Sequence, residues 1–171
     1  MILLTAGAQL PFERMGALAL QCARALPDET VLYQAGPGGN AFFEAKQLPR
    51  HLHVEEFIEP EQYRNTVKDA RCVITHAGMG NLLYLLEQEA PFMVLPRLMQ
   101  HGEHRNDHQL DTARAMHERM GIAFFSDSDR LLDQLLARPP VKTNSYHRDD
   151  VLKRRQAFAG ELQAILLTLT R

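Results

Sequence analysis

Cys72-Val-Ile-Thr-His-Ala-Gly-Met-Gly-Asn81 decides how this chain is read. Residues 72–75 are apolar and β-branched, the composition of a buried strand. They run directly into a turn of small residues, and residues 82–89 then carry the pattern of a short helix. Gly78 and Gly80 leave the turn's backbone uncovered, so a ligand can approach its amides closely. The unpaired N–H groups of a helix start, and its partial positive charge, favour an anion such as a phosphate. Many α/β proteins use this turn only to change direction. The reading therefore leans also on His76, just before the turn, and on a polar stretch that begins at Pro96.

On either side of this segment, apolar strands alternate with amphipathic helices. Residues 1–5 read as a buried strand. Residues 12–26 read as a helix, with Phe12, Met15, Ala19, Cys22 and Leu26 on one face. Strands are expected over 30–34 and 53–58, with the glycine-rich 36–39 between them a loop and a helix over 61–70 following. Further on, a strand over 92–95 precedes a helix over 107–120 that stops at Gly121, before a strand over 122–125. Ser126 and Asp127 are good caps for a helix through Ala137. Pro139-Pro140 breaks the chain before a last apolar-faced helix over 149–169. Repeated β-then-α order predicts an α/β fold, a Rossmann-like parallel sheet with helices on both faces. Ligands of such sheets sit beyond the carboxyl ends of the strands. That rule gathers residues 5–9, 36–40, 76–81 and 96–106 around one crevice.

At 171 residues the chain reads as a single domain, 1–171, with residues 148–171 a C-terminal helix packing back on it. A composition of 45% hydrophobic and 23% charged residues with net charge −2 gives no global attraction to nucleic acid or to an anionic membrane. Cys22 and Cys72 lie in apolar surroundings without metal-type spacing, as structural thiols of a reducing compartment would. No leader of the secretory type opens the sequence, and no apolar run is long enough to cross a bilayer. The expectation is a cytoplasmic protein.

The densest chemistry lies in Pro96-Arg-Leu-Met-Gln-His-Gly-Glu-His-Arg-Asn-Asp-His-Gln109. Arg, His, acidic and amide side chains crowd a loop expected at the ligand edge, where such groups bind hydroxyls and phosphates. A solvated surface loop is the plain alternative. His101, His104 and His108 are spaced so that a helix would align them, which raises the idea of a zinc site. Gly102 weakens a helix there and no HExxH occurs, so no metal is assigned. There is also no GKS/GKT phosphate loop, no three-glycine dinucleotide fingerprint in residues 1–9, and no GxSxG nucleophile elbow.

Three stretches in order, Thr5-Ala-Gly-Ala-Gln-Leu-Pro-Phe-Glu-Arg14, His76-Ala-Gly-Met-Gly-Asn81 and Gly102-Glu-His-Arg-Asn-Asp-His-Gln109, resemble the glycosyltransferase family 28 C-terminal domain. The nearest resemblance is to its short single-domain members, which are donor-binding subunits. The resemblance implies one half of a GT-B fold and binding of a UDP-sugar donor. It implies inverting transfer without a metal cofactor, in which the helix dipole and loop amides replace the cation at the leaving diphosphate. By position, His76, Gly78, Gly80 and Asn81 would face the diphosphate, and His108 and Gln109 the donor sugar. Gly7 and Gln9 would line the cleft. The catalytic residue stays unassigned, because the family's base usually comes from the other domain. Two departures stand out. Tyr84 occupies the place where many relatives carry a glutamate for the ribose, with Glu87 one turn later, and Asn81 replaces a threonine or serine.

The resulting expectation is the donor-binding subunit of an inverting glycosyltransferase acting on a lipid-linked or polysaccharide acceptor. A membrane-associated acceptor-binding subunit is the expected partner, which would hold the chain at the inner face of the membrane. Nucleic acid is not an expected partner, and self-association into a homo-oligomer is compatible with the sequence. A non-catalytic nucleotide-sugar-binding module is the competing reading, and a metal-dependent hydrolase built on the histidine-rich loop a third.

Overall fold

A computed structural model of the chain describes residues 1–137 together with Lys153 and Gln156. Five parallel strands, β1 (Ile2–Thr5), β2 (Val31–Gln34), β3 (Leu52–Glu55), β4 (Cys72–Thr75) and β5 (Phe92–Val94), lie in the order β3-β2-β1-β4-β5. The chain starts in the middle, winds outward to one edge, then returns beside β1 and winds to the other. The register is continuous, with Thr5 level with Gln34 on one side and Thr75 on the other. All carboxyl ends therefore open on the same edge, and the order reverses between β1 and β4, where such sheets bind ligands.

Helices cover both faces, as expected. Alternation along β1 sends Ile2 and Leu4 into one apolar cluster and Leu3 into another. Helices α1 (Glu13–Ala25) and α5 (Ser128–Ala137) bury Met15, Leu18, Leu131 and Leu135 on the first face. The second face is covered by α2 (Pro60–Asp69), α3 (Met79–Glu87) and α4 (His108–Met120), through Val67, Leu82, Leu85, Leu86 and Met116. The central strands are buried on both sides, so they read as continuous apolar runs. Cys22 and Cys72 are free and buried, and desolvation pushes the Cys22 thiol up to about 12, as suits an inert core residue.

Several expected boundaries move. The strand expected over 122–125 is reduced to a single parallel bridge, Val94 to Phe124. Only Val94 N–H to Ala123 and Phe125 N–H to Val94 are made there, because β5 is itself three residues long. The third strand ends at Glu55 rather than 58. Its neighbour Glu56 turns away and accepts the Gly38 N–H at 2.8 Å. Pro60 opens α2 at a position where its missing N–H costs nothing. The expected loop at 36–39 runs into a 3-10 turn (Gly39–Phe43). Asp127 caps α5 as expected, accepting the N–H groups of Asp129 and Arg130. The Pro139-Pro140 break, the helix over 149–169 and the packing of 148–171 lie outside the described residues, apart from Lys153 and Gln156.

Candidate functional site

The crevice at the carboxyl edge is organised by Arg97, which follows β5 and is only 3% exposed. Its guanidinium donates to the carbonyls of Ala6 (2.9 Å), Leu10 (2.6 Å) and Pro11 (2.7 Å). It lies 4.4 Å from the centre of the Phe12 ring, within cation–π range. The loop between β1 and α1 is thus folded around one buried cation. A second arginine, Arg14, holds the other side. It grips Glu103 with two bonds of 2.8 and 2.7 Å, and donates to the carbonyls of Pro96 and Ser126. Glu103 also accepts the Leu98 N–H, and Asp107 accepts that of Met99. Much of the polar stretch 96–109 therefore serves to shape its own loop.

His76 sits at the centre. The loop carbons of Gly7 and Gly78 lie against its ring. A methyl on Gly7, at φ +84°, would come within 2.6 Å of Cε1, and one on Gly78 would overlap Nε2. The imidazole Nδ1 is buried without a hydrogen-bond partner. Helix α3 begins three residues earlier than its apolar pattern suggests, at Met79, with Gly78 as an N-cap that offers no side chain. The first-turn N–H groups, those of Met79, Gly80 and Asn81, are the donors a helix start leaves without intrahelical partners. Asn81 does not point its amide into the crevice. Its nitrogen donates to Thr75 Oγ1 (2.9 Å) and its oxygen accepts the Tyr63 hydroxyl (3.0 Å), while Thr75 donates to the His76 carbonyl (3.0 Å). Tyr63, Asn81 and Thr75 form a chain of hydrogen bonds that fixes the start of α3 on β4. The Tyr84 ring leans on Tyr63, with centroids 5.8 Å apart, so it packs toward α2.

Gln109, in the first turn of α4, joins the loops after β4 and β5. Its side-chain oxygen accepts the N–H of Ala77 (3.1 Å) and that of Arg97 (3.0 Å). Gly7, Gln9, His76 and Gln109 line one cavity of about 70 Å³, together with two residues the sequence reading did not assign, Arg97 and His104. Gly78 backs the His76 ring, and Gly80 and Asn81 lie beside it in the first turn of α3. His108 is exposed and does not line this cavity. Among the described residues, no cluster of three or more His, Cys, Asp or Glu side chains is arranged to hold a metal ion. Arg97 carried one sequence signal, a charged residue placed directly after an apolar strand and a proline. His104 was raised in the sequence reading through its spacing with His101 and His108, but it was not assigned to the binding site.

This arrangement of loops has a counterpart in sequence, where residues 1–148 match the glycosyltransferase family 28 C-terminal domain. The chain belongs to that family. No curated protein sequence matches it significantly. Solved structures share the fold. A glycosyltransferase of kitacinnamycin superposes with a TM-score of 0.60 at 19% identity over 98% of this chain and 42% of its own. The calicheamicin glycosyltransferase CalG4 gives 0.62 at 16% over 99% and 44%. MurG of Acinetobacter baumannii gives 0.56 at 16% over 79% and 40%. The family 28 domain is one Rossmann-like half of a GT-B architecture, and it spans less than half the length of these glycosyltransferases.

Electrostatics in this family 28 domain keep His76 neutral. Burial, and then the nearby Arg97 charge, lower it from the ordinary 6.5 to about 4. A histidine harder to protonate in the fold costs stability wherever the unfolded chain carries the proton and the folded one does not. Stability is therefore full above 6.5 and declines as pH falls toward 4, by roughly 3 kcal/mol at most. In thermal melts between pH 4 and 7, His76→Gln should flatten that decline relative to wild type. An equally steep decline in the variant would mean other groups cause it.

Two further substitutions probe the geometry. Gln109→Ala strands two backbone N–H groups and should cost about 2 kcal/mol, several degrees of Tm, whereas Gln109→Glu keeps the acceptor and should melt close to wild type. Gly78→Ala collides with the His76 ring, and adding His76→Ala should restore much of the lost stability. Additive losses in that double-variant cycle would show that ring and glycine do not touch in solution.

Proposed function

We propose that this domain binds a UDP-sugar in the crevice and is the donor-binding half of an inverting, metal-independent hexosyltransferase. It would pass the sugar to a lipid-linked or polysaccharide acceptor presented by a membrane-associated partner subunit. The observation that carries the reading is the convergence, within a family 28 domain, of an uncapped helix start and a glycine-bared turn with His76 and Gln109. The first-turn amides and helix dipole suit a diphosphate, contributing about 2 kcal/mol from the dipole in favourable geometry and about 1.5–3 kcal/mol for each bond to a charged oxygen. The same groups would stabilise the UDP leaving group without a cation. The Gln109 amide nitrogen would meet the sugar. Asn81 acts on this reading through its backbone N–H and by holding the helix start in place.

A covering partner across the crevice fits two observations. The chain spans 42–44% of the length of the first two solved glycosyltransferases it resembles. In addition, Leu10, Phe57, Met79 and Met99 are large apolar side chains left about half exposed, and all follow strands on the carboxyl edge. Apolar surface gathered on one edge is what a covering partner buries. No helix of the described residues is long and apolar enough to cross a membrane. On the proposed reading the partner would supply the attachment.

A thermal-shift series with UDP, GDP, dTDP and CMP tests the donor assignment. UDP at a hundredfold excess over Kd should stabilise by about 2.7 kcal/mol, and Gly78→Ala should abolish the shift. If none of the four shifts Tm, the nucleotide-sugar reading falls. Transfer from labelled UDP-sugar to a membrane extract should then need the partner co-expressed. Binding of UDP with no transfer under any pairing would make the domain a non-catalytic binding module.

A further inference from the structure

His104 stands on the wall between two hollows. One is the small cavity beside His76 and Gln109, and the other is an open pocket of about 540 Å³ bounded by Gly102, Arg105 and Leu10. Gln9, Leu10 and His104 line both, so the two spaces share this wall. The hydrogen bonds around the ring fix its tautomer. Asn106 Oδ1 receives the backbone N–H of His108 at 3.3 Å, which identifies that atom as an acceptor. The same oxygen lies 3.1 Å from His104 Nδ1, so Nδ1 must carry the hydrogen. Nε2 is left with a lone pair and, among the described residues, no hydrogen-bond partner. This is the disposition of a general base whose far nitrogen is oriented by an acceptor.

Other groups at the crevice are less suited to the role. Glu103 is held by Arg14 through both oxygens and by the Leu98 N–H. His76 is packed between two glycines with Nδ1 buried. Gln109 has no basic nitrogen, and Asp107 accepts the Met99 N–H.

On the reading of the crevice as a UDP-sugar site, we propose that His104 is the catalytic base and that the larger pocket receives the acceptor hydroxyl. The acceptor oxygen forms the new bond to the anomeric carbon while the bond from that carbon to the diphosphate oxygen breaks. The electron pair leaves with UDP, and the hydroxyl proton passes to His104 Nε2. The base then resides on the donor half, a departure from the usual family arrangement in which the other domain supplies it, and the partner's task is to present the acceptor and close the cleft.

Two measurements test this. Imidazole ¹⁵N shifts of the free protein should show His104 with Nδ1 protonated and Nε2 bare, and the opposite tautomer would overturn the proposal at once. Transfer from labelled UDP-sugar is then measured in a membrane extract from cells co-expressing the candidate partner, which supplies partner and acceptor together. His104→Gln should lower kcat by about a hundredfold or more while leaving UDP-sugar affinity unchanged. Asn106→Ala, which releases the tautomer without removing Nε2, should cost less than His104→Gln. If wild type transfers and His104→Gln keeps pace, or if the variant loses UDP-sugar affinity in proportion, the base assignment fails and the donor site stands. If wild type neither binds nor transfers a UDP-sugar, the functional reading itself has failed, and His104 has no reaction to serve.

Discussion

A single buried guanidinium holds the functional edge of this domain together. Among the described residues no carboxylate is bonded to Arg97, and its charge is met by three carbonyls of the loop between β1 and α1 and by the face of Phe12. A buried cation without such partners would be costly, so the loop has little freedom to leave while Arg97 stays inside. The loop position sets where Gly7 lies, Gly7 bounds the His76 ring, and the backbone N–H of Arg97 itself anchors Gln109. The planar fork of arginine matters here, since a lysine ammonium could not span these acceptors in the same way.

The polar residues of the edge divide into those spent on building it and those left available. Arg14, Glu103, Asp107, Asn81 and Thr75 have their polar atoms engaged with one another or with backbone. Among the described residues, His76 Nδ1, the first-turn amides of α3, the nitrogen of Gln109 and Nε2 of His104 are not so engaged, and they border the same crevice. Neutral His76 suits this division. It offers hydrogen bonding beside a helix start that already supplies positive potential, without adding a charge that Arg97 would oppose.

The edge also leaves apolar surface exposed. The helices bury the faces of the sheet, yet apolar side chains remain at the ends of β1, β3 and β5 and at the start of α3. In the solved glycosyltransferases of the same fold more than half of the chain lies outside the aligned region. On the proposed reading, a cleft that excludes water from a reacting centre needs a second wall, and the exposed apolar groups lie on the edge it would cover.

The sequence by itself determined the layers. Buried parallel strands are apolar on both faces and their helices on one, so the alternation, the crevice edge and the turn at 76–81 were all legible without coordinates. The family motifs likewise named four residues that do line one cavity. What the sequence could not decide was the use of each polar side chain. Asn81 and Gln109 have the chemistry of ligand-binding amides, but Asn81 is spent on Thr75 and Tyr63, and the oxygen of Gln109 on two backbone N–H groups. The same holds among the histidines, where His108 faces solvent and His104 stands at the wall between two hollows. Periodicity reports which face a residue is on. Hydrogen-bond partners come from segments tens of residues apart, as Arg97 and Ala6 do, and only the folded chain brings them within reach.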